Sequence, residues 1–532
     1  MSKDKSKDVS DNEVPERLMF ESFYKSTPHT PKNIHYWGTI SSIAGLILAI
    51  ATIAYNLIPH ESAPALKKYR ILVPLQANSS EYSAFMQKEG GDATFTDRYT
   101  NKASQNIREI VKAAKTQWLA DPSVNARKLQ QDDVDFFCFP EGSEGEKDSF
   151  ERAFKHAMKA AAVAKREVIA VLGNVSSTST LKYGEFCGKH GLPMILPLAT
   201  ATNLIHELGV RKVPAVLRLP PPNDKQAKVL SDFLLHQKNI QQTVVVKDLT
   251  NDAWSRDLVE NFRENYVQKP LSDPKARTDG TFGHIISVVP VGGPETQPFL
   301  YPILSDAKED ALLIIGMTNA SVETLTQVKK SKADFSYTIL TDGAVDEYLD
   351  TQIISIQGEE SLPNLYLSFP VPCVMPEALK NYVKAGSGLN VDDFKMTHAL
   401  YVADGAFIIM SMLNKGLNDN ADASGKQIII DAIDKLKSDA KQAEEEKAAR
   451  REPVNDAVGQ PIILPLPFNN PEERQYIIDK TGNNINASYY LFNVVAARSA
   501  GKPAIDWRRA KGMNSPLKCS EETSDSTTPR TR

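Results

Sequence analysis

The sequence is poor in cysteine and lacks the short motifs of common enzyme classes. Its 4 cysteines are Cys138, Cys187, Cys373 and Cys519. They form no CxxC pair and no metal-ligand spacing, although one disulfide or several free buried thiols both remain open. GxSxG, HExxH, GxGxxG and P-loop motifs are absent. We therefore predict no metal, no cofactor and no enzymatic activity, with a hydrolase that carries no known motif as the alternative.

Neither sign of charge dominates the composition. The chain has 62 Lys and Arg residues against 66 Asp and Glu residues, which gives a net charge of -4. A nucleic-acid-binding protein typically carries a clear excess of basic residues, so we expect no nucleic-acid partner. A length of 532 residues exceeds what one hydrophobic core usually supports, so two or three structural units are expected.

One stretch lacks charged residues altogether. Residues 34–58 contain no Asp, Glu, Lys or Arg. A helix of about 22 residues, at about 1.5 Å per residue, is long enough to cross a bilayer. Tyr36, Trp37 and Tyr55 stand where interfacial aromatic residues are common. A cleaved signal peptide is the alternative, but the preceding tail is long and no clear cleavage site follows. We predict an uncleaved transmembrane helix.

Polar segments precede and follow the rest of the chain. Residues 1–33 and 511–532 are rich in polar and charged residues, and both are predicted to be disordered tails. Six basic residues precede the apolar stretch: Lys3, Lys5, Lys7, Arg17, Lys25 and Lys32. A short basic tail before a first span normally stays in the cytoplasm. The large C-terminal part would then be periplasmic or extracellular.

Between the tails, strand patterns alternate with helix patterns. Apolar runs at 69–75, 134–139 and 168–172 are separated by helical patterns. Further strand patterns follow at 242–247, 285–291, 311–316 and 337–340. This alternation predicts an α/β fold with doubly wound parallel sheets. The proline-rich segment 215–222 cannot form a helix, so we interpret it as an extended crossover between two such sheets.

Hydroxyl groups follow two of the predicted strands. The run 168–172 ends at Gly173 and is followed by the Ser- and Thr-rich turn 176–180, and the run 194–198 ends at Ala199 and Thr200. Ligands of open α/β sheets bind at the carboxyl ends of the strands. Hydroxyl groups and helix N-terminal amides suit a carboxylate or another small anion there. The alternative is that these residues cap helices and form turns without any ligand.

Both segments resemble the amino-acid-binding corner of type I periplasmic binding proteins, the leucine/isoleucine/valine-binding kind. In that family one strand ends Gly-x-x-Ser-Ser-x-Ser-Thr and a second run reads Pro-Met-Ile-x-Pro-x-Ala-Thr. Both patterns occur here, at 173–180 and 193–200. The resemblance covers about residues 69–510. It implies two lobes joined by a three-strand hinge, lobe 1 from 69–217 and 373–451 and lobe 2 from 218–372 and 455–510. It also implies that segments 462–468, 482–486 and 488–495 form a closing hairpin in lobe 2.

The resemblance also implies a set of binding residues. Ser177 and Thr200, with nearby backbone amides, would hold a ligand carboxylate, and the Leu198 carbonyl and Thr200 would face an ammonium group. Trp254 falls where the family closes an aromatic side chain over the ligand, and Asp342 where an acidic residue pairs with the ammonium. Ser176 and Ala199 complete the predicted site.

Simpler explanations stand beside two of these roles. Trp254 could pack at the lobe interface, and Asp342 could be a turn residue before Gly343. The Leu198 side chain would also narrow the pocket, so a generic amino-acid or amide ligand is expected rather than a branched-chain one.

The function implied is capture of a small polar solute by hinge closure. Such a protein would serve a permease complex of the ABC-transporter type or a sensory partner. A ligand-free binding-protein-like module with a structural or regulatory role in the cell envelope is the alternative.

Overall fold

The chain divides into two compact units, Met1–Leu66 and Lys67–Arg532. The computed structural model describes these residues, all in the second unit: 68–77, 79–87, 102–120, 129–142, 148–173, 176–238, 240–292, 311–331, 333, 335–345, 349–357, 364–370, 398–449, 460–462, 476–484, 489–499 and 502–509. The predicted tails and the predicted transmembrane segment, 34–58, lie outside them. Among the described helices, none combines the length and the apolar character that a membrane crossing requires.

The first sheet contains five parallel strands in the order β2-β1-β3-β4-β5. The strands are β1 (Tyr69–Leu75), β2 (Val134–Pro140), β3 (Glu167–Leu172), β4 (Met194–Leu196) and β5 (Val216–Arg218). The helices that follow them in this part of the chain are α1 (Ser79–Gln87), α2 (Lys102–Ala120), α3 (Ser149–Val163), α4 (Ser177–His190) and α5 (Leu204–Val210). We call this sheet and the helices packed on it lobe 1.

Lobe 1 buries both faces of its sheet. All seven residues of β1 are buried. Ile71 belongs to one core cluster and its neighbour Leu72 to another, because successive side chains of a strand point to opposite faces. Helices α12 (His398–Asp419) and α13 (Gly425–Ala449) contribute residues to the first cluster. This two-sided burial accounts for the unbroken apolar runs in the sequence.

The second sheet contains seven strands in the order β14-β13-β10-β9-β8-β6-β7. They are β6 (Gln242–Asp248), β7 (His284–Val291), β8 (Ala311–Ile315), β9 (Tyr337–Leu340), β10 (Leu365–Phe369), β13 (Tyr490–Ser499) and β14 (Lys502–Arg509). The strands from β6 to β10 pair in parallel, whereas β13 pairs antiparallel with both β10 and β14. We call this sheet and its helices lobe 2.

Short helices connect the parallel strands of lobe 2. They are α6 (Asn223–Asp232), α7 (Asp252–Arg263), α8 (Lys269–Ser272), α9 (Pro274–Asp279), α10 (Thr318–Ser331) and α11 (Leu349–Gln357). Helices α6 and α7 continue as π-helical turns, Phe233–Gln237 and Glu264–Gln268, and a 3-10 turn, Asp342–Ala344, follows β9. The predicted α/β fold with two parallel-sheet lobes is confirmed.

The first crossover between the lobes, 215–222, runs beside the third, which contains residues 482–484. Arg218 forms an isolated parallel bridge with Asn483. Its backbone N–H donates to Gly482 at 2.8 Å, and its carbonyl accepts from Asn484 at 3.0 Å. The second crossover leaves β10 at Pro370, whose carbonyl accepts a hydrogen bond from Tyr401 of α12 at 2.8 Å. The segment between them, 371–397, lies outside the described residues.

The C-terminal part differs from the prediction. The resemblance implied one closing hairpin in lobe 2 from segments 462–468, 482–486 and 488–495, of which 463–468, 485–486 and 488 lie outside the described residues. Instead, β11 (Gln460–Ile462) pairs with β12 (Tyr476–Ile478), and β13 pairs with β14. Ile478 packs in the core of lobe 1, so the range 455–510 is shared between the two lobes. The sequence shows alternation in these segments, but alternation alone does not choose the pairing partner.

Candidate functional site

The ends of β3 and β4 meet at one edge of lobe 1. Ser176 is the N-cap of α4, and its hydroxyl accepts a hydrogen bond from the Ser179 N–H at 3.0 Å. The Ser177 hydroxyl accepts from the Ala201 N–H at 3.2 Å, and Ser177 is 1% exposed. Because Ser177 follows β3 and Ala201 follows β4, this bond joins the two strand ends. We call residues 176–180 and 198–202 the lobe-1 edge.

Two helices from opposite lobes cap each other. The Thr178 hydroxyl lies 3.1 Å from the Asn251 side-chain oxygen, which also accepts from the Thr178 N–H at 3.4 Å. In return, the Ala253 N–H in the first turn of α7 donates to the Thr178 hydroxyl at 3.2 Å. The exposed N–H groups at the start of a helix need such partners. The first turns of α4 and α7 therefore satisfy one another across the cleft.

A second contact between the lobes is centred on Asp257. Its carboxylate accepts from the Thr202 N–H at 2.8 Å and from the Asn223 side-chain amide at 2.9 Å. One turn further along α7, the Asn261 amide donates to the Thr202 hydroxyl at 3.1 Å. Burial raises the pKa of Asp257, and these hydrogen bonds act in the opposite direction. Helix α7 therefore holds the lobe-1 edge at two places.

Asp342 lies at the end of β9 and is 6% exposed. Its carboxylate accepts from the Gln226 amide at 3.0 Å and from the Tyr489 hydroxyl at 3.3 Å. The backbone N–H groups of Asp342 and Gly343 also donate to it. Burial raises the pKa of Asp342 to about 6, and its hydrogen bonds oppose that shift. Tyr489 also bonds the Thr200 side chain, so a polar chain runs from lobe 2 to lobe 1.

A buried arginine supports the lobe-1 edge from the first crossover. Arg218 is 1% exposed, and its guanidinium donates to the carbonyls of Ala201 and Thr200 and to the Asn483 side chain. Burial lowers the pKa of Arg218 to about 10, so it stays charged at neutral pH. The loop after β4 is therefore fastened to the first and third crossovers.

Four predicted site residues lie together on the lobe-1 edge, and Asp342 reaches it through Tyr489. The four are Ser176, Ser177, Ala199 and Thr200. All of them are buried, at 6%, 1%, 1% and 3% exposure. Their hydroxyl groups and neighbouring amides bond to other groups of the protein, as the alternative of capping without a ligand also expects.

Trp254 and Leu198 both pack against apolar cores, and their predicted roles at a ligand stay predictions. Trp254 is 3% exposed and packs within the core of lobe 2, where a side chain at Gly343 would meet its ring. Leu198 packs against the core of lobe 1. It lines a small apolar pocket with Leu172 and Val402 whose volume is about that of one water molecule. Both side chains have apolar neighbours inside their own lobe.

Sequence reasoning missed five polar residues at the cleft between the lobes. They are Asn223, Gln226, Asn251, Asp257 and Tyr489. Asn223 and Asn251 follow a proline-rich crossover and a strand, and polar residues at such helix starts are usually interpreted as caps. Helical spacing could have placed Gln226 on the face of Asn223, and Asp257 one turn inside α7. Their partners lie far along the chain, so no local pattern marks them.

On the lobe-2 side of the cleft, two buried oxygen atoms have no hydrogen-bond partner. They are the side-chain carbonyl oxygens of Asn223 and Gln226, residues that are 0% exposed and lie one turn apart on α6. Within the described part of the chain, no cluster of His, Cys, Asp and Glu could hold a metal ion. We call Asn223, Gln226, Asp257 and Asp342 the lobe-2 edge.

Comparison with known proteins gives no family at the level of sequence. The chain matches no protein-family model, and it matches no curated protein. Several solved structures are similar in fold. The branched-chain amino acid transporter substrate-binding protein LivJ from Streptococcus pneumoniae, in complex with isoleucine, aligns with a TM-score of 0.52 and 15% identity over 84% of this chain and 100% of LivJ.

Two further structures align at a TM-score of 0.50. An ABC transporter substrate-binding protein from Desulfitobacterium hafniense, in complex with leucine, is 13% identical over 83% of this chain and 100% of its own. A solute-binding protein of an ABC transporter from R. palustris, in complex with benzoate, is 12% identical over 83% and 97%. Likeness at this identity is a likeness of fold. With the sheet order and the paired crossovers, it shows that the chain has the fold of the type I periplasmic binding proteins.

Proposed function

We propose that this protein is a solute-binding protein that captures a small polar ligand between its lobes by hinge closure. One observation carries the proposal: Tyr489, next to a crossover, hydrogen-bonds both Thr200 of lobe 1 and Asp342 of lobe 2. A cleft that assembles its hydrogen-bonding groups from both lobes completes its site only when it closes. The fold neighbours that hold isoleucine, leucine and benzoate support a small-molecule ligand.

The polar residues at the cleft serve recognition rather than chemistry in this proposal. The carboxylates of Asp257 and Asp342 accept hydrogen bonds from amides and a hydroxyl, an arrangement that orients groups without activating a nucleophile. The neighbours named above are substrate-binding proteins by their descriptions. A non-enzymatic role therefore fits best.

The partner and the place of the protein complete the proposal. We infer that residues 34–58 anchor it in a membrane, with residues 1–33 in the cytoplasm and the two lobes outside it. Ligand capture would be sensed by another protein, an ABC-type permease or a sensory partner. Protease protection in sealed vesicles tests this orientation.

A ligand-free module in the cell envelope is the second candidate. It is favoured by the direct bonds between the lobes, Thr178 to Asn251 and Thr202 to Asp257. In such a module these bonds would hold the lobes permanently closed, and the outer surface would contact the partner.

A thermal-shift screen of the full chain in detergent separates the two candidates. Amino acids, amides, amines and small carboxylates are each tested at a concentration about 1,000 times a Kd in the micromolar range. At that concentration binding stabilises the folded state by about 4 kcal/mol. A hit that Ser177→Ala weakens and the exposed Ser272→Ala does not supports solute capture. A folded protein that responds to no compound in the panel supports the ligand-free module.

A further inference from the structure

We propose that the cleft selects its ligand by a hydrogen-bond donor, an amine or ammonium group, and that a ligand carboxylate is not required. Asn223 and Gln226 receive this group together with Asp342. The inference rests on the proposed function and concerns the ligand class of the same cleft. It follows from an inventory of the donors and acceptors at the two edges.

Four backbone donors at the lobe-1 edge are already engaged. They are the N–H groups of Thr178, Ser179, Ala201 and Thr202. Each donates to a side-chain oxygen of the protein: those of Asn251, Ser176, Ser177 and Asp257. A ligand carboxylate that bound at these four groups would have to displace their partners one by one. Displacing a good hydrogen bond by an equivalent one gains little free energy.

The acceptors at the lobe-2 edge are in excess. The Asn223 and Gln226 carbonyl oxygens are buried without a partner, and two carboxylates lie beside them. The Asn223 amide nitrogen is 2.9 Å from Asp257, and the Gln226 amide nitrogen is 3.0 Å from Asp342. Each unpartnered oxygen therefore belongs to an amide group whose nitrogen donates to a carboxylate. Buried acceptors without donors are rare, and they favour a ligand that supplies the donors.

The orientation of both side-chain amides follows from their neighbours. The Asn223 nitrogen faces the Trp254 carbonyl at 3.2 Å as well as Asp257, and both of these groups can only accept. The Gln226 nitrogen faces Asp342 and the Ser368 hydroxyl at 3.2 Å. An oxygen in either position would meet carboxylate or carbonyl oxygens, so the unpartnered atoms are the oxygens.

An ammonium group matches this inventory. It has three N–H donors and no acceptor, and its positive charge suits a site between carboxylates. The ligands of the fold neighbours, isoleucine, leucine and benzoate, all carry a carboxylate. This chain would therefore differ from them in the group that it recognises first.

Matched ligand series test the inference on the full chain in detergent by titration calorimetry at pH 7.5. Each series contains an amino acid, the amine that lacks its carboxylate and the acid that lacks its amino group. The three series are alanine, ethylamine and propionate; leucine, 3-methylbutylamine and 4-methylpentanoate; and phenylalanine, phenethylamine and 3-phenylpropanoate.

We expect that in at least one series the amine binds within tenfold of the amino acid or more tightly, and that the acid is more than tenfold weaker. If in every series the amine is more than tenfold weaker than the amino acid, or the acid equals the amine, the inference is overturned and solute capture stands. If none of the nine compounds binds to a folded protein, the inference is overturned and solute capture loses support as well.

Two variants then locate the effect. Gln226→Leu should weaken amine binding at least tenfold, whereas the exposed Ser272→Ala should not. Asn251→Ala frees the Thr178 N–H and should shift selectivity at least threefold towards the acid. If Gln226→Leu does not fold, Asn251→Ala decides alone. An amine-to-acid ratio that neither variant moves overturns the assignment of these residues.

Discussion

The two edges of the cleft have the same place in their sheets and opposite hydrogen-bonding character. The lobe-1 edge presents hydroxyls and helix N-termini, and four of its N–H groups are paired with side chains of the protein. The lobe-2 edge has two carboxylates and two unpartnered carbonyl oxygens. The fold brings both edges together, but the residues on each edge decide which ligand chemistry is left available.

The largest expected effect comes from removing the support of the lobe-1 edge. Arg218→Ala should lower the free energy of unfolding by about 3–5 kcal/mol, because two buried carbonyls lose their donor and a cavity forms. It would also add unpartnered acceptors to the lobe-1 edge and so reduce the contrast between the edges. Thermal melting measures the loss, with Arg152→Ala on the outside of α3 as control. A loss equal to that of the control would contradict this role.

The next effect concerns Asp342. Its pKa of about 6 lies above the unfolded value of 3.8. The folded state therefore binds the proton more tightly than the unfolded state. The resulting contribution to the stability of the fold is fully present below pH 3.8 and is lost as the pH rises through 6. Asp342→Asn should consequently stabilise the ligand-free protein at pH 8, by up to about 3 kcal/mol for a difference of about two pKa units.

Melting temperatures from pH 4 to 8 measure this effect. The difference between Asp342→Asn and the natural protein should grow with pH and be smallest at pH 4. An Asp342→Asn protein that is the less stable of the two at pH 8 would show that the charged carboxylate is favoured by its hydrogen bonds.

A smaller effect is expected in the pH dependence of amine binding. An amine next to Asp342 needs the ionised carboxylate, so its affinity should fall about tenfold for each pH unit below 6. Calorimetry at pH 5 and pH 7 with the best amine measures this change. Asp342→Asn should bind the amine weakly and with little pH dependence. A constant affinity in the natural protein would place the amine elsewhere.

The smallest effect is expected at the reciprocal caps. A double-mutant cycle with Thr178→Val and Asn251→Leu should give a coupling energy of about 1 kcal/mol, the usual value of a neutral hydrogen bond. Small-angle scattering should detect a larger radius of gyration in the double variant if these bonds hold the cleft closed. Additive single effects and an unchanged radius would assign the two side chains to capping within their own lobes.

Much of the fold could be predicted, because buried parallel strands leave a strong local signal. The run of β1 and the motif at 168–200 placed the sheet of lobe 1 and its edge. The C-terminal strands were predicted less well. Only eleven residues separate the end of β12 from the start of β13, yet the two strands pack in different lobes. Their partners are chosen by surfaces that the rest of the chain builds.

The candidate site was predicted in part for the same reason. Ser176, Ser177 and Thr200 follow strands, and a strand end can be located from the sequence. Asn223, Gln226 and Tyr489 could not be found in this way, because their partners are 34, 116 and 147 positions away. Trp254 could be located but not its role, since its large apolar ring could be buried either against a ligand or inside lobe 2.

The sequence by itself therefore determined the alternation of strands and helices, the crossovers and the presence of hydroxyls at two strand ends. These properties depend on hydrophobic period, proline and short-range capping, all of which are local. The tertiary structure decided which of those hydroxyls and amides are already paired and which acceptors are left without a donor. Hydrogen-bond satisfaction depends on partners that only folding brings together, and that balance decides what the cleft can bind.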